Sequence, residues 1–266
     1  MTTAQSLKIR KRFRSVLYQI IAIGIGLLLV SPILYALIIS FMPGEEILTI
    51  PPKIIPSRWI TDNYKMAWTL TTLPRFMLNS LILAGVSSVV RVITASMAAF
   101  ALSFFEFRGR NVIFMLIMGT MMVPSDIVLV SNYHTVSRLG WINTYNPLIV
   151  PSLFGTAANV FMMRQYMLKI PNDFRDSGFI DGCGHFRIWF KIILPMCVPT
   201  LVSLGVLTFM GHWNNYLGPM IYLSSRVKMT VPLVLRSYKG SYSTQWHLLM
   251  AASCIALAPV VLLYIV

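Results

Sequence analysis

Six stretches of this chain are apolar for close to, or more than, the ~20 residues a helix needs to cross the hydrocarbon core of a bilayer. They cover 16–41, 76–104, 112–130, 147–168, 196–223 and 246–266. Their apolar character is continuous rather than alternating, so they predict helices and not a β-barrel. Composition agrees. Hydrophobic residues make up 56% of the 266 positions and charged residues 11%, where soluble domains run at ~45–50% and ~25%. A soluble fold could not coat that much apolar surface with so few charges. The same numbers exclude a disordered chain and a coiled coil. The first stretch is too long for a cleaved signal sequence, and Phe41-Met42-Pro43-Gly44 offers no small-residue cleavage site. The expected fold class is an all-α membrane protein with six transmembrane helices. It divides into a basic tail over 1–15 and one membrane domain over 16–266.

Lysine and arginine total 22 against 8 acids, a formal charge of +14. In a soluble protein that excess suggests nucleic acid. Here no basic stretch is interleaved with aromatics on a polar face, so lipid and not nucleic acid is the expected partner. The bases read instead as topology signals, because they are retained on the cytoplasmic side. Lys8, Arg10, Lys11, Arg12 and Arg14 precede the first stretch. Arg108 and Arg110 follow the second, and Lys169, Arg175, Arg187 and Lys191 follow the fourth. The bases of the other loops are more diffuse. The expected topology has both termini in the cytoplasm of a bacterial or archaeal plasma membrane. Val266 is still apolar, so a short further tail is expected. The outer segment 42–75, with Pro51, Pro52 and Pro56, is expected to be ordered and to hold a short helix near 63–68. The three cysteines, Cys183, Cys197 and Cys254, support no disulfide framework and have no metal spacing.

The most informative segment is the loop 169–195. Pro171 can open a helix at no hydrogen-bond cost. Asn172 and Asp173 suit its first turn, and Gly182 and Gly184 end it. His185 to Ile193 resumes an amphipathic helix that Pro195 is expected to break. A short helix mixing apolar and charged residues, in a loop too long for a plain connector, fits a docking element for a partner protein.

This loop resembles the EAA loop of permease subunits of ATP-binding-cassette importers. The family pattern is Glu-Ala-Ala, three residues, Gly, nine residues, then Ile-x-Leu-Pro. Asp176, Ser177 and Gly178 take the first three positions, Gly182 the glycine, and Ile192, Leu194 and Pro195 the end. Asp181 before Gly182 also matches. The head departs from the pattern, and a glycine at 178 costs a helix roughly 1 kcal/mol against alanine. Further patches extend the likeness over nearly the whole chain: Leu78-Asn79-Ser80-Leu81, Phe105-Glu106-Phe107-Arg108-Gly109, Leu139-Gly140-Trp141 and Trp213-Asn214-Asn215-Tyr216. They are similar to carbohydrate-type permeases of the smaller maltose type. The resemblance implies a type I importer permease bundle with a cytoplasmic coupling helix. It also implies a second homologous permease, a cytoplasmic ATPase dimer that binds ATP and magnesium, and an extracytoplasmic solute-binding protein. This chain would itself be non-catalytic and hold no cofactor. It contains no glycine-rich phosphate loop closing on Gly-Lys-Ser or Gly-Lys-Thr. It also contains no metal spacing, no Ser–His–Asp set and no carboxylate pair of a membrane enzyme. An ATP-independent carrier or channel is the alternative reading. Such a carrier needs no docking loop and usually shows intramembrane acids or an inverted repeat.

Within the apolar stretches a few polar residues stand out. Arg91 lies midway along the second, where a charge costs roughly 2.5–3.5 kcal/mol on insertion scales. A helical wheel places it with Ala84, Ser87, Ser88, Thr94, Ala95 and Ala98. Ile82, Val86, Val89, Ile93 and Phe100 fall on the opposite, lipid side. No acid falls within a span core, with Asp126 at the outer end of the third. The expected partner of Arg91 is therefore another subunit, a backbone carbonyl or an anionic solute. Glycerol-phosphate permeases, within the resemblance, also carry a base near this depth, which inclines the solute toward a phosphate-bearing glycerol compound. Asn79, Trp213, Asn214 and Asn215 are the other pathway candidates, since aromatics stack on sugar rings and amides bond hydroxyls. Interhelical hydrogen bonding is the plainer reading of the same residues. His212 is expected to be a satisfied packing residue.

Overall fold

The computed structural model describes residues 3–124, 127–240 and 244–265, with side chains from Arg14 onward. Asp126, Val266 and the side chains of Lys8, Arg10, Lys11 and Arg12 lie outside that range. Among the described residues the chain is helical, with no β-strand and one isolated bridge between Lys239 and Thr244. It forms two compact units, residues 1–71 with 238–257 and residues 72–237 with 258–266.

In the first unit, α1 (Thr3–Ser40) carries a 27-residue apolar run from Arg14 to Ser40. Its apolar side chains, such as Leu28 and Leu29, stand exposed, as a lipid-facing helix allows. A short α2 (Asp62–Leu70) forms in the outer segment, where a short helix near 63–68 was expected. It closes the end of α1 through buried Asn63, whose Nδ2 donates to the carbonyls of Ser40 and Met42, both at 3.0 Å. Those carbonyls are left unpaired by the end of the helix. The Tyr238 hydroxyl donates to the Ala67 carbonyl at 2.9 Å. Glu46 accepts from the Ser57 hydroxyl and amide and lies 3.3 Å from Lys53. These donors hold its carboxyl below the usual carboxylate range.

The second unit is built around α3 (Leu73–Phe104), followed by α4 (Arg110–Gly119), α5 (Leu129–Arg138), α6 (Asn146–Ile149) and α7 (Ala157–Met167). Next come α8 (Asp173–Ile180), α9 (His185–Ile188), a π-helical turn over Trp189–Ile193 and α10 (Leu194–Met196). The unit continues through α11 (Val198–Trp213), α12 (Leu217–Tyr222) and α13 (Val231–Ser237). α14 (Trp246–Ile265) gives its residues up to 257 to the first unit and the rest to the second. Val92, Phe100, Met163, Ile188, Ile193 and Leu204 form much of the core where α3, α7, α9 and α11 meet.

Among the described residues, three helices are long and apolar enough to cross a membrane unaided: Arg14–Ser40, Leu73–Phe104 and Trp246–Ile265. The pair His185–Met196 and Val198–Trp213, bent by 84°, makes a fourth when the two are taken together as one span. The third and fourth apolar stretches are less regular as helices than the first two. In the third stretch an apolar helix runs over Arg110–Met122, and α5 begins at Leu129. The fourth is interrupted between Ile149 and Ala157, where Pro151 removes an amide and Gly155 weakens the helix.

The connections nevertheless alternate between the two ends of α3. Near its start, Asn79 Nδ2 donates to the carbonyls of Val227 and Met229, and the Val231 amide donates to Ser80 Oγ. Lys228 Nζ donates to the Asn143 carbonyl, so residue 143 lies at that end too. At the far end, Arg110 and Arg175 reach the carbonyls of Phe105 and Phe104. The 25 residues between Asn79 and Phe104 span about 38 Å at the helical rise of 1.5 Å, more than the ~30 Å hydrocarbon core. The chain therefore crosses between residues 110 and 143 and again between 143 and 175, although those helices are short and broken.

Candidate functional site

The loop 169–195 is ordered by its own hydrogen bonds. α8 begins at Asp173, two residues later than Pro171 suggests, and Asn172 makes no side-chain cap. Its end is a Schellman motif. Gly182 sits at φ +74°, its amide donates to the Phe179 carbonyl, and the Cys183 amide donates to the Gly178 carbonyl. Gly184 opens α9 in an extended conformation. Pro195 does not break the helix as expected. The π turn before it shifts the Leu194 amide onto the Trp189 carbonyl, five residues back. That widening relieves the clash a proline ring makes with the carbonyl four residues before it. The sharp bend comes two residues later, at Cys197, ahead of Pro199.

Gly178 is buried against the π segment. A Cβ there would fall 2.8 Å from Ile192 Cδ1 and 3.0 Å from Ile188 Cγ1. The missing methyl that weakens α8 as a helix thus lets α8 pack closely. Of the motif positions, Ile192 meets Gly178, and Leu194 and Pro195 carry the chain into the bend. Ser177, Asp176 and Asp181 lie on the exposed side.

Sequence reasoning missed what fixes this loop to the membrane helices. Arg175 donates to the Phe104 carbonyl at 2.6 Å, and its guanidinium lies 2.7 Å from the Asp176 carboxylate. Arg164 donates to the Leu102 carbonyl at 3.2 Å while lying 4.1 Å from the Phe114 ring centroid. Three guanidiniums thus serve the carbonyls left at the end of α3, where the helix dipole favours cations. Beside them His185 makes edge contacts with Phe105 and Phe179, at 4.7 and 5.0 Å.

The pathway candidates are not brought together. Asn79 is committed to the backbone carbonyls near the start of α3. Trp213 is 4% exposed and stacks on Phe209 at 5.7 Å. Asn214 ends α11, and Asn215 Oδ1 accepts from the Gly218 amide. Arg91 differs. Ala84, Ser87, Ser88 and Ala95 on its expected face are buried, while Ile82, Val86, Val89 and Ile93 are exposed. Phe100, expected toward lipid, is instead buried at 5% exposure, because the helix end is wrapped by the loop that packs there. Among the described residues the Arg91 side chain hydrogen-bonds to one that no sequence reading named: Nη2 donates to Ser152 Oγ at 3.3 Å. Its Nε is buried without a partner, as are Ser87 Oγ and His212 Nε2. His212 is therefore not the satisfied packing residue that was expected.

Residues 91–266 match the family described as binding-protein-dependent transport system inner membrane component. This chain belongs to that family. The permease is similar to the arabinooligosaccharides transport system permease protein of Halalkalibacterium halodurans, at 31% identity over 96% of this chain and 94% of that one. It is 30% identical to the sn-glycerol-3-phosphate transport system permease protein of Brucella abortus (strain 2308), over 91% and 89% of the two chains. Its fold matches a crystal structure of a bacterial ABC transporter involved in the import of the acidic polysaccharide alginate. The TM-score is 0.83 at 19% identity, over 96% and 95% of the chains. The permease is thus a multi-pass membrane component of an importer, with the type I importer fold.

Proposed function

We propose that this permease forms half of a pore for a sugar or a glycerol-phosphate-type solute, paired with a second homologous permease. A cytoplasmic ATPase dimer binds ATP and magnesium, a solute-binding protein delivers from outside, and this chain performs no catalysis itself. Both termini lie in the cytoplasm. The relatives transport arabinooligosaccharides or sn-glycerol 3-phosphate by their names, which supports a carbohydrate-like solute and argues against an ATP-independent carrier. The observation that carries the reading is α8. It is a capped helix beyond the membrane spans, yet it exposes apolar side chains, with Ile180 87% exposed. A short helix that offers Phe174, Phe179 and Ile180 to solvent suits a cleft in a partner. On this reading Asp176, Ser177, Gly178, Asp181, Gly182, Ile192, Leu194 and Pro195 shape and seat the coupling helix. When the ATPase dimer closes, it moves α8, and the Arg175 bond to Phe104 passes that movement to α3.

The reading is tested with Ile180→Asp. A carboxylate in an apolar cleft is expected to cost ATP-dependent uptake at least tenfold, while the protein remains in the membrane. Co-purification of the ATPase should fall in parallel. Wild-type uptake by this variant would overturn the docking role of α8.

A further inference from the structure

The middle of the second unit holds a polar cluster that the coupling mechanism does not use. Arg91 lies halfway along α3. Ser87 precedes it by one turn on the same face. Ser152, with no exposed surface, accepts a hydrogen bond from the Arg91 side chain, and His212 on α11 lies within electrostatic reach of its charge. Three of these four side chains keep a buried polar atom without a partner: Arg91 Nε, Ser87 Oγ and His212 Nε2. Unpaired polar atoms at this depth are costly. Every described aspartate and glutamate lies outside the spanning helices, so the described residues place no acidic counter-charge in those helices.

The backbone beside the cluster is also irregular. Ser152 lies in the interruption between α6 and α7, and that segment packs tightly on α3. A Cβ at Gly155 would come within 3.0 Å of Ala95, one turn beyond Arg91. Broken helices at membrane depth occur where they are buried in protein or line a solute cavity. The donors gathered here are a guanidinium, two hydroxyls and an imidazole, which together recognise oxyanions. The aromatic and amide groups that would suit a neutral sugar are instead turned to their own chain, at Trp213 and Asn215.

We propose that Arg91, Ser87, Ser152 and His212 form a transient site for the oxyanion of the transported solute, a phosphate or a carboxylate. The proposal rests on the importer reading and narrows its solute class.

The test uses the complete complex in liposomes: both permeases, the ATPase and the solute-binding protein encoded with them. The probes are sn-glycerol 3-phosphate, a uronic-acid trisaccharide and a neutral arabinose trisaccharide. Uptake of an anionic probe is expected, with the two anionic arms separating phosphate from carboxylate. Arg91→Gln should lower that uptake at least tenfold, Arg91→Lys less, and Ser152→Ala a few-fold, with complex composition unchanged. Transport of the neutral probe alone would overturn the proposal and leave the importer reading standing. So would anion uptake at the wild-type rate by Arg91→Gln. Loss of the second permease from purified Arg91→Gln complex, restored by Arg91→Lys, would make Arg91 an assembly ion pair instead. If no probe enters in response to ATP and binding protein, the importer reading itself fails.

Discussion

Two glycines six angstroms or so of helix apart serve α8 in opposite ways. Gly182 is there for its backbone. At φ +74° an L side chain costs about 1 kcal/mol or more, yet nothing lies within 4 Å of the position its Cβ would take. Gly178 has ordinary helical geometry and is there for its lack of volume. The two should respond differently to substitution. Gly182→Ala is expected to fray the end of α8 and leave the thermal stability of the purified complex nearly unchanged, since the strain is local and exposed. Gly178→Val should lower that stability by about 1–3 kcal/mol, the usual cost of overpacking, because Ile188 has no exposed surface into which to retreat. A thermal unfolding series on both variants decides, and equal shifts would remove the distinction. The sequence shows the first role and conceals the second. A glycine that ends a helix is a local signal, read from the residues around it. The need for a glycine at 178 arises from a partner 14 positions away, so the sequence alone suggests only a weakened helix.

At the scale of elements, the coupling helix is joined to α3 chiefly by one side chain. Arg175 spans 71 positions to the Phe104 carbonyl, which is why the sequence reading counted it among topology-setting bases. Its ion pair with Asp176 is half exposed and contributes little by itself. Its bond to a carbonyl at a helix terminus is charge-assisted and shorter. If α8 drives α3 through this bond, Arg175→Ala should lower uptake per ATP hydrolysed several-fold while the ATPase remains bound. Arg175→Lys, which keeps the charge but not the fork, should recover part of it. Measuring uptake and hydrolysis on the same proteoliposomes separates this from simple loss of assembly. An unchanged ratio in Arg175→Ala would mean that the packing of Gly178 on Ile192 carries the movement alone. The Ser152 contact of Arg91 was hidden for a related reason. It spans 61 positions and comes from a segment that reads as continuous helix until Pro151 and Gly155 are weighed together.

For the whole molecule, helix length is a poor guide to the number of crossings, and the hydrogen bonds at the two ends of α3 are a better one. They place residues 143 and 227–231 at its start, and 105–110 and 175 at its end. Apolar stretches and basic loops made that alternation legible in the sequence, because both are sums over many residues. The break at 150–156 was not, because an apolar residue in an irregular segment scores the same as one in a helix. On the proposed topology, the basic residues of 108–110 and 169–191 mark the far end of α3 as the cytoplasmic one. The cysteines allow a direct check. Cys183 is the accessible one within the coupling loop, and Cys197 is buried. With Cys183 replaced by serine, a cysteine at Ile180 should react with a membrane-impermeant maleimide only in inverted vesicles. A cysteine at Arg226, in the loop joined to the start of α3, should react only in right-side-out vesicles. Labelling of both positions from one side would refute the alternation, and with it the assignment of α8 to the ATPase side.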